Sequence, residues 1–213
     1  MDVIKDYIDF WLTKYDMIWE STYEHLILSV VALGLAILLT IPLAVYMTKI
    51  KNDTLKNIIF NIANIFQTIP TVALFAVLVP FMGIGFKPAV LALFLYALLP
   101  LLRNTYAGIE SIDQDMIDAA KGMGYSTFQR IYKIELPVAL PYIMSGIRIT
   151  TVYIISWTTL AAIVGAGGLG GLVLSGIGFN DKAMIFTGTI LAIVIALIID
   201  LLFAKVEKKL APR

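Results

Sequence analysis

The sequence predicts an all-α membrane protein, with five spanning helices preceded by an amphipathic helix that lies in the membrane interface. Three observations predict it. Of the 213 residues, 60% are hydrophobic and only 15% are charged, whereas a soluble domain carries about 25% charged residues. Long uncharged intervals alternate with short charged ones, and several approach the roughly 20 residues that cross a hydrocarbon core. Lysine and arginine gather in alternate charged intervals, as expected of a chain with two differently charged sides. A net charge of +1 offers no basic field to a nucleic acid. With no cysteine and a single histidine, His25, disulfides, thiolate sites and a histidine metal cluster are excluded.

Residues 1–24 form the first unit. Ile4, Ile8, Trp11, Tyr15 and Ile18 recur at helical spacing among Asp2, Lys5, Asp6, Asp9, Asp16 and Glu20. That pattern suits a helix lying in the interface, the alternative being an acidic face turned to an external partner. The stretch lacks the basic start and unbroken apolar core of a cleaved signal peptide. A transmembrane unit over residues 25–204 comes next. Its first span is 26–48, with His25 expected at the water boundary. Lys49, Lys51 and Lys56 lie beyond it. The second span is placed over 58–79, inside an uncharged interval broken by Pro70, Pro80 and a Gly83–Gly85 turn. Residues 88–102 are short for a third span and must recruit a flank. The fourth span is 138–164, a glycine-rich loop covers 165–182, the fifth span is 183–204, and a basic tail occupies 205–213. No domain linker or internal repeat interrupts this order.

Charge orients the chain. Eleven Lys and Arg residues lie in the 49–56 loop, the 103–137 interval and the tail, all on one side of a five-span topology. Lys5, Lys14, Lys87 and Lys182 lie on the other. The positive-inside rule puts the first group in the cytoplasm and the N-terminus outside.

Within the spans, Asn57, Asn61, Asn64, Thr68 and Thr71 make a polar stripe at spacings of four and three, with Gln67 beside it. Polar groups in hydrocarbon must pair or face water. The stripe is either interhelical hydrogen bonding or part of a translocation path, and the sequence leaves both open. Arg148 is the one charge well within a span: either the helix starts well below the bilayer or Arg148 has a buried partner, and the favoured reading is the first, with the side chain snorkelling toward the cytoplasmic face. Intramembrane carboxylates, the mark of a proton-coupled carrier, are limited to Asp200 near a span end. Gly165-Ala166-Gly167-Gly168-Leu169-Gly170 has the spelling of a dinucleotide fingerprint but comes after an apolar span rather than a soluble strand. Close helix approach or a flexible gate suits these glycines better. No Walker-type Gly-Lys-Ser/Thr sequence is present, so this chain is not itself an ATPase.

One polar finger, within 110–137, separates two apolar blocks. Residues 115–121 suit a short helix ended by Gly124, Ser126 or Thr127 can cap a second helical turn, and Pro137 suits the first turn of the next helix. The order is Asp118-Ala119-Ala120, three residues, Gly124, nine residues, Ile134, one residue, Leu136-Pro137. This resembles the Glu-Ala-Ala loop of bacterial ABC-importer permeases, with Asp118 in place of the usual glutamate. Together with Gln67-Thr68-Ile69-Pro70-Thr71-Val72-Ala73-Leu74 and Ile163 through Gly170, it looks like permeases of glycine betaine, carnitine and choline importers.

The resemblance implies the type I ABC-importer permease (MetI-like) fold. It also implies a cytoplasmic ABC ATPase dimer, a second permease chain, identical or paralogous, and an extracellular solute-binding lipoprotein. ATP and magnesium would be held on the ATPase, and this chain would carry no cofactor, metal or catalytic residue. Asp118, Ala119, Ala120, Gly124, Ile134, Leu136 and Pro137 would contact the ATPase. Candidates for the path are Asn61, Asn64, Gln67 and Thr68, with Tyr153 and Trp157 one helical turn apart on the fourth span. Packing is the favoured role for the two aromatics, because the family places tight recognition in the external receptor. A permease for another small solute such as an amino acid, and an ATP-independent carrier or scaffold, are the alternatives.

Overall fold

The computed structural model describes residues 2–210, all ten of whose α-helices pack into one helical membrane unit. Met1, tail residues 211–213 and the side chains of Asp2, Val3, Ile4 and Asp6 lie outside what is described.

Helix α1 (Asp2–Thr13) bends at Lys14 into α2 (Tyr15–Lys49), and helical bonding carries through the bend, from Lys14 N–H to the Phe10 carbonyl and from Ile18 N–H to the Lys14 carbonyl. Residues 15–24, read from sequence as interfacial, therefore belong to the first spanning helix. Phe10 and Ile18 are buried against Leu172, Ala183 and Met184, while Ile8, Trp11, Leu12 and Tyr15 stay exposed. The N-terminal helix thus packs on the bundle by one face and leaves an aromatic face free.

The second apolar interval is not one straight span. Helices α3 (Asp53–Thr68) and α4 (Thr71–Met82) meet at 97°. Pro70 lacks the N–H that would continue the α3 ladder, and it disfavours helical geometry at Ile69, which is extended. Helix α5 (Phe86–Glu110) recruits its C-terminal flank to reach 25 residues. Beyond it lie a short helix α6 (Gln114–Gly122) and one turn α7 (Thr127–Arg130). From Thr127 the chain is continuously helical to Val164, through a π turn (Ile131–Glu135), α8 (Leu136–Thr158) and a 3-10 turn (Thr159–Val164). Pro137, expected to start a helix, instead sits just after the π turn, where Leu136 N–H bonds to the Ile131 carbonyl. That five-residue register helps the helix accept a proline that cannot donate.

Residues 165–182, expected as a loop, hold helix α9 (Gly168–Phe179) before α10 (Lys182–Leu210). Small residues favour helix packing in membranes by allowing backbones to approach. A Cβ on Gly170 would lie 1.8 Å from the Thr159 carbonyl oxygen, and one on Gly188 would lie 2.9 Å from the Leu169 carbonyl oxygen. At the α5–α8 crossing, Gly108 faces Tyr142 and Gly146 faces Asn104 in the same manner. The main core joins α2, α4, α5 and α8 around Leu28, Phe75, Leu93 and Ile154.

Arg148 does not snorkel. Its guanidinium donates to both Asp200 oxygens at 2.6 and 3.0 Å and to Glu207 at 3.2 Å. Asp200 and Glu207 are seven residues apart on α10, hence on one face, and the fork geometry of arginine suits two acceptors. The triad ties α10 to α8.

This packing makes two substitutions informative about stability. Gly170→Ala should lower the thermal midpoint of the purified protein, because overpacking against backbone costs about 1–3 kcal/mol. Gly171→Ala has nothing within 4 Å of the new methyl and should be neutral or stabilising by up to ~1 kcal/mol. Arg148→Met should lower the midpoint more than Asp200→Asn does, because the first strands two carboxylates while the second leaves Arg148 its bond to Glu207; equal midpoints would contradict the clasp.

Candidate functional site

The polar finger is built as its residues dictate. Asp113 caps α6 by accepting from Asp115 N–H at 2.9 Å. Gly124, at φ +80°, ends it in a Schellman arrangement: Tyr125 N–H bonds to the Ala120 carbonyl and Gly124 N–H to the Lys121 carbonyl. Ser126 and Gln129 then form a capping box that starts α7. Ala120 is fully buried, Ile134 and Leu136 are half-buried, and Asp118, Ala119, Gly124 and Pro137 are exposed. Asp118 accepts from Lys121 at 2.7 Å and from Gln114 at 3.0 Å. Lys121 first, then Gln114, hold its carboxyl below the usual carboxylate range, so it remains an anion. The finger also presents Met123, Phe128 and Tyr132, which are 67%, 77% and 68% exposed. These are large apolar side chains left open to water on an otherwise polar loop.

The residue between Ile134 and Leu136 escapes a reading of the sequence. Glu135 is 1% exposed, and its two oxygens accept from different cations: Oε1 from Arg130 at 2.7 Å, Oε2 from Lys49, the last residue of α2. A buried carboxylate is costly unless paired, and here both oxygens are taken. A charge between two lysine-bearing segments is its only sequence signal.

The candidate path residues divide. Gln67 donates its amide to the Tyr96 carbonyl, the carbonyl that Pro100, four residues on, leaves without its helical donor. In return the Tyr96 hydroxyl donates to the Ile69 carbonyl at 2.6 Å, beside the Pro70 break. The Tyr96 ring lies 4.9 Å from Trp157, and Trp157 lies 5.6 Å from Tyr153. Gln67, Tyr96, Trp157 and Tyr153 therefore form one continuous patch at the bend. Tyr96, which joins them, has no pattern in the sequence to single it out. Thr68 bonds only to the Ile65 carbonyl in its own helix. Asn61 is exposed and Asn64 half-buried, and among the described residues neither has a side-chain hydrogen-bond partner.

At the opposite end of α2, His25 is fully buried rather than at a water boundary. Its Nε2 lies 3.1 Å from the Ile155 carbonyl. A carbonyl only accepts, so Nε2 carries the proton. The need arises where α8 tightens into the 3-10 turn and the Thr159 N–H reaches back to Ser156. Next to it, the Glu24 carboxylate accepts from Gly168 N–H at 2.8 Å. The GAGGLG stretch thus begins a helix whose N-terminus is already held by a carboxylate of this chain, and no strand precedes it among the described residues.

Comparison with known proteins agrees with this architecture. Residues 37–212 match the family described as binding-protein-dependent transport system inner membrane component. The chain is 38% identical over 205 residues to the choline transport system permease protein OpuBB of Bacillus subtilis, covering 96% of this chain and 94% of that one. It is 40% identical over 213 residues to the carnitine transport permease protein OpuCD of Listeria monocytogenes, covering 100% and 95%. In fold it superposes on a chain of the MetNI methionine ABC transporter, in an inward-facing conformation, with a TM-score of 0.83 at 24% identity over 92% of this chain and 97% of that one. The chain belongs to the binding-protein-dependent transport system inner membrane components and is a permease subunit rather than an enzyme.

Proposed function

We propose that this chain is the membrane permease of an ATP-driven importer of quaternary ammonium compatible solutes: glycine betaine, carnitine or choline. The observation that carries the cargo class is agreement along almost the whole chain with permeases whose names specify choline and carnitine transport. The exposed finger supports the driving force. Its anionic Asp118 and its exposed Met123, Phe128 and Tyr132 offer one charge-assisted contact and an apolar anchor to a cytoplasmic ATPase dimer that holds the ATP and magnesium. A second permease chain and an extracellular solute-binding lipoprotein complete the assembly in the plasma membrane. The unpartnered Asn61 and Asn64 are available to that second chain or to a water-lined path.

The N-terminus lies outside, the finger and the basic tail inside, as the lysine and arginine distribution requires. Helix α1 lines the outer interface, residues 15–204 form the transmembrane unit with its finger at 110–137, and the basic end of α10 beyond residue 204 lies on the inner side. Solute passes the bend between α3 and α4, where Gln67, Tyr96, Trp157 and Tyr153 meet. A quaternary ammonium gains about 0.5–2 kcal/mol at an aromatic face, enough to guide it but too little to trap it.

Proteoliposomes holding the complete complex should accumulate radiolabelled betaine, carnitine or choline only with ATP and the receptor, and should continue when the proton gradient is collapsed at constant ATP. Receptor-independent uptake driven by an ion gradient, with this chain alone, would refute the reading. Trp157→Leu should lower the maximal rate more than it changes the apparent affinity, since selection rests with the receptor. Because the chain has no cysteine, single cysteines at positions 9 and 180 should react with an impermeant reagent in intact cells and one at 122 should not; the opposite pattern would invert the topology.

A further inference from the structure

We infer that Glu135 is a positioning residue that joins the finger to α2, so that movement imposed on the finger is passed to the far end of the membrane unit. The inference rests on the importer reading and extends it to this chain's own transmission. Three elements meet at the Glu135 carboxylate: α7 through Arg130, the π turn that carries Glu135 itself, and the last residue of α2, Lys49.

The geometry is specific. A π turn adds one residue to a helical turn, which rotates the succeeding helix by about 100° relative to an uninterrupted α-helix. Glu135 ends that turn and is buried, whereas Tyr132 and Lys133 within it are exposed. Arg130 and Glu135 are both on the finger side, so their bond stiffens the finger. Lys49–Glu135 alone crosses to another spanning helix. From Lys49, α2 runs back 25 residues, about 37 Å at 1.5 Å per residue, to Glu24. There the Glu24 carboxylate holds the N-terminus of α9 through Gly168 N–H. Along the way Ser29 meets Thr158 at 3.0 Å and His25 meets the Ile155 carbonyl. The two ends of the unit are thus joined by one continuous helix, which lacks one ladder bond at Pro42, with a charged contact at each end. The apolar root of the finger, where Ile112 and Ile117 join the main core, is the competing route, and the two routes respond differently to substitution.

The test uses the complete complex in proteoliposomes and measures ATP hydrolysed per solute accumulated. Lys49→Met cuts the link to α2 but leaves Glu135 paired with Arg130, so folding and co-purification of the ATPase should persist. It should raise the ATP consumed per solute by roughly fivefold or more, the scale of an ordinary coupling free energy. Arg130→Met leaves the crossing bond in place and should raise the ratio clearly less, and Lys49→Arg should keep it near the wild-type value. A wild-type ratio in Lys49→Met, or an equal rise in Lys49→Met and Arg130→Met, would overturn the inference and assign transmission to the apolar root. Absence of ATP-driven uptake by the wild-type complex would instead remove the importer reading itself.

Discussion

A backbone carbonyl in hydrocarbon has no water to turn to, and every break in a spanning helix creates one. Each unsatisfied group costs several kcal/mol by the usual scale, so a break is eased where a neighbour supplies the donor. The structure depends on that constraint. Pro100 frees the Tyr96 carbonyl and Gln67 meets it. Ile69, which ends α3 before Pro70, offers its carbonyl to the Tyr96 hydroxyl. The 3-10 tightening beyond Ile155 is answered by His25. These donors come from α3, α5 and α2, so the same bonds that permit irregular backbone also lock separate helices together.

The charged groups obey a related rule. Arg148 with Asp200 and Glu207, and Glu135 with Lys49 and Arg130, are each clasps between separate elements. Such pairs contribute little net stability compared with apolar packing, because desolvation offsets the attraction, yet breaking one is costly. They fix which helix moves with which. The 97° bend between α3 and α4 places the Gln67–Tyr96–Trp157–Tyr153 patch at irregular backbone, and irregular backbone at membrane depth belongs beside protein or a water-filled path. Of the places where this unit departs from plain spanning helices, the proposed function assigns the bend to the solute and the finger to the ATPase.

Much of this is legible in the residues. Composition and uncharged intervals point to the helical membrane class. Cap chemistry at Gly124 and Ser126 points to the finger, and its spacing to the family. The features that escape detection share a physical cause: they depend on contacts between residues far apart in sequence. Arg148 reads as a snorkelling charge until α10 is laid beside α8, since its partners lie 52 and 59 residues away. His25 reads as a boundary residue because nothing local reveals the Ile155 carbonyl 130 residues on. The glycines of 165–182 read as a loop by propensity, whereas Gly170 lies close against Thr159 and Gly176 close against Met184 and Ile185 within a helix. Tyr96 and Glu135 carry no spacing pattern at all, and only their partners give them a role.

The central claim is that the finger and α2 move as one body. Pulsed electron resonance on the cysteine-free chain tests it directly, with spin labels placed pairwise at positions 51, 123 and, on α4, 77, and labelled permease diluted in unlabelled complex. Between the nucleotide-free and vanadate-trapped states, the 51–123 distance should hold while the 77–123 distance changes. A 51–123 distance that changes between the two states, with 51–77 fixed, would contradict the account.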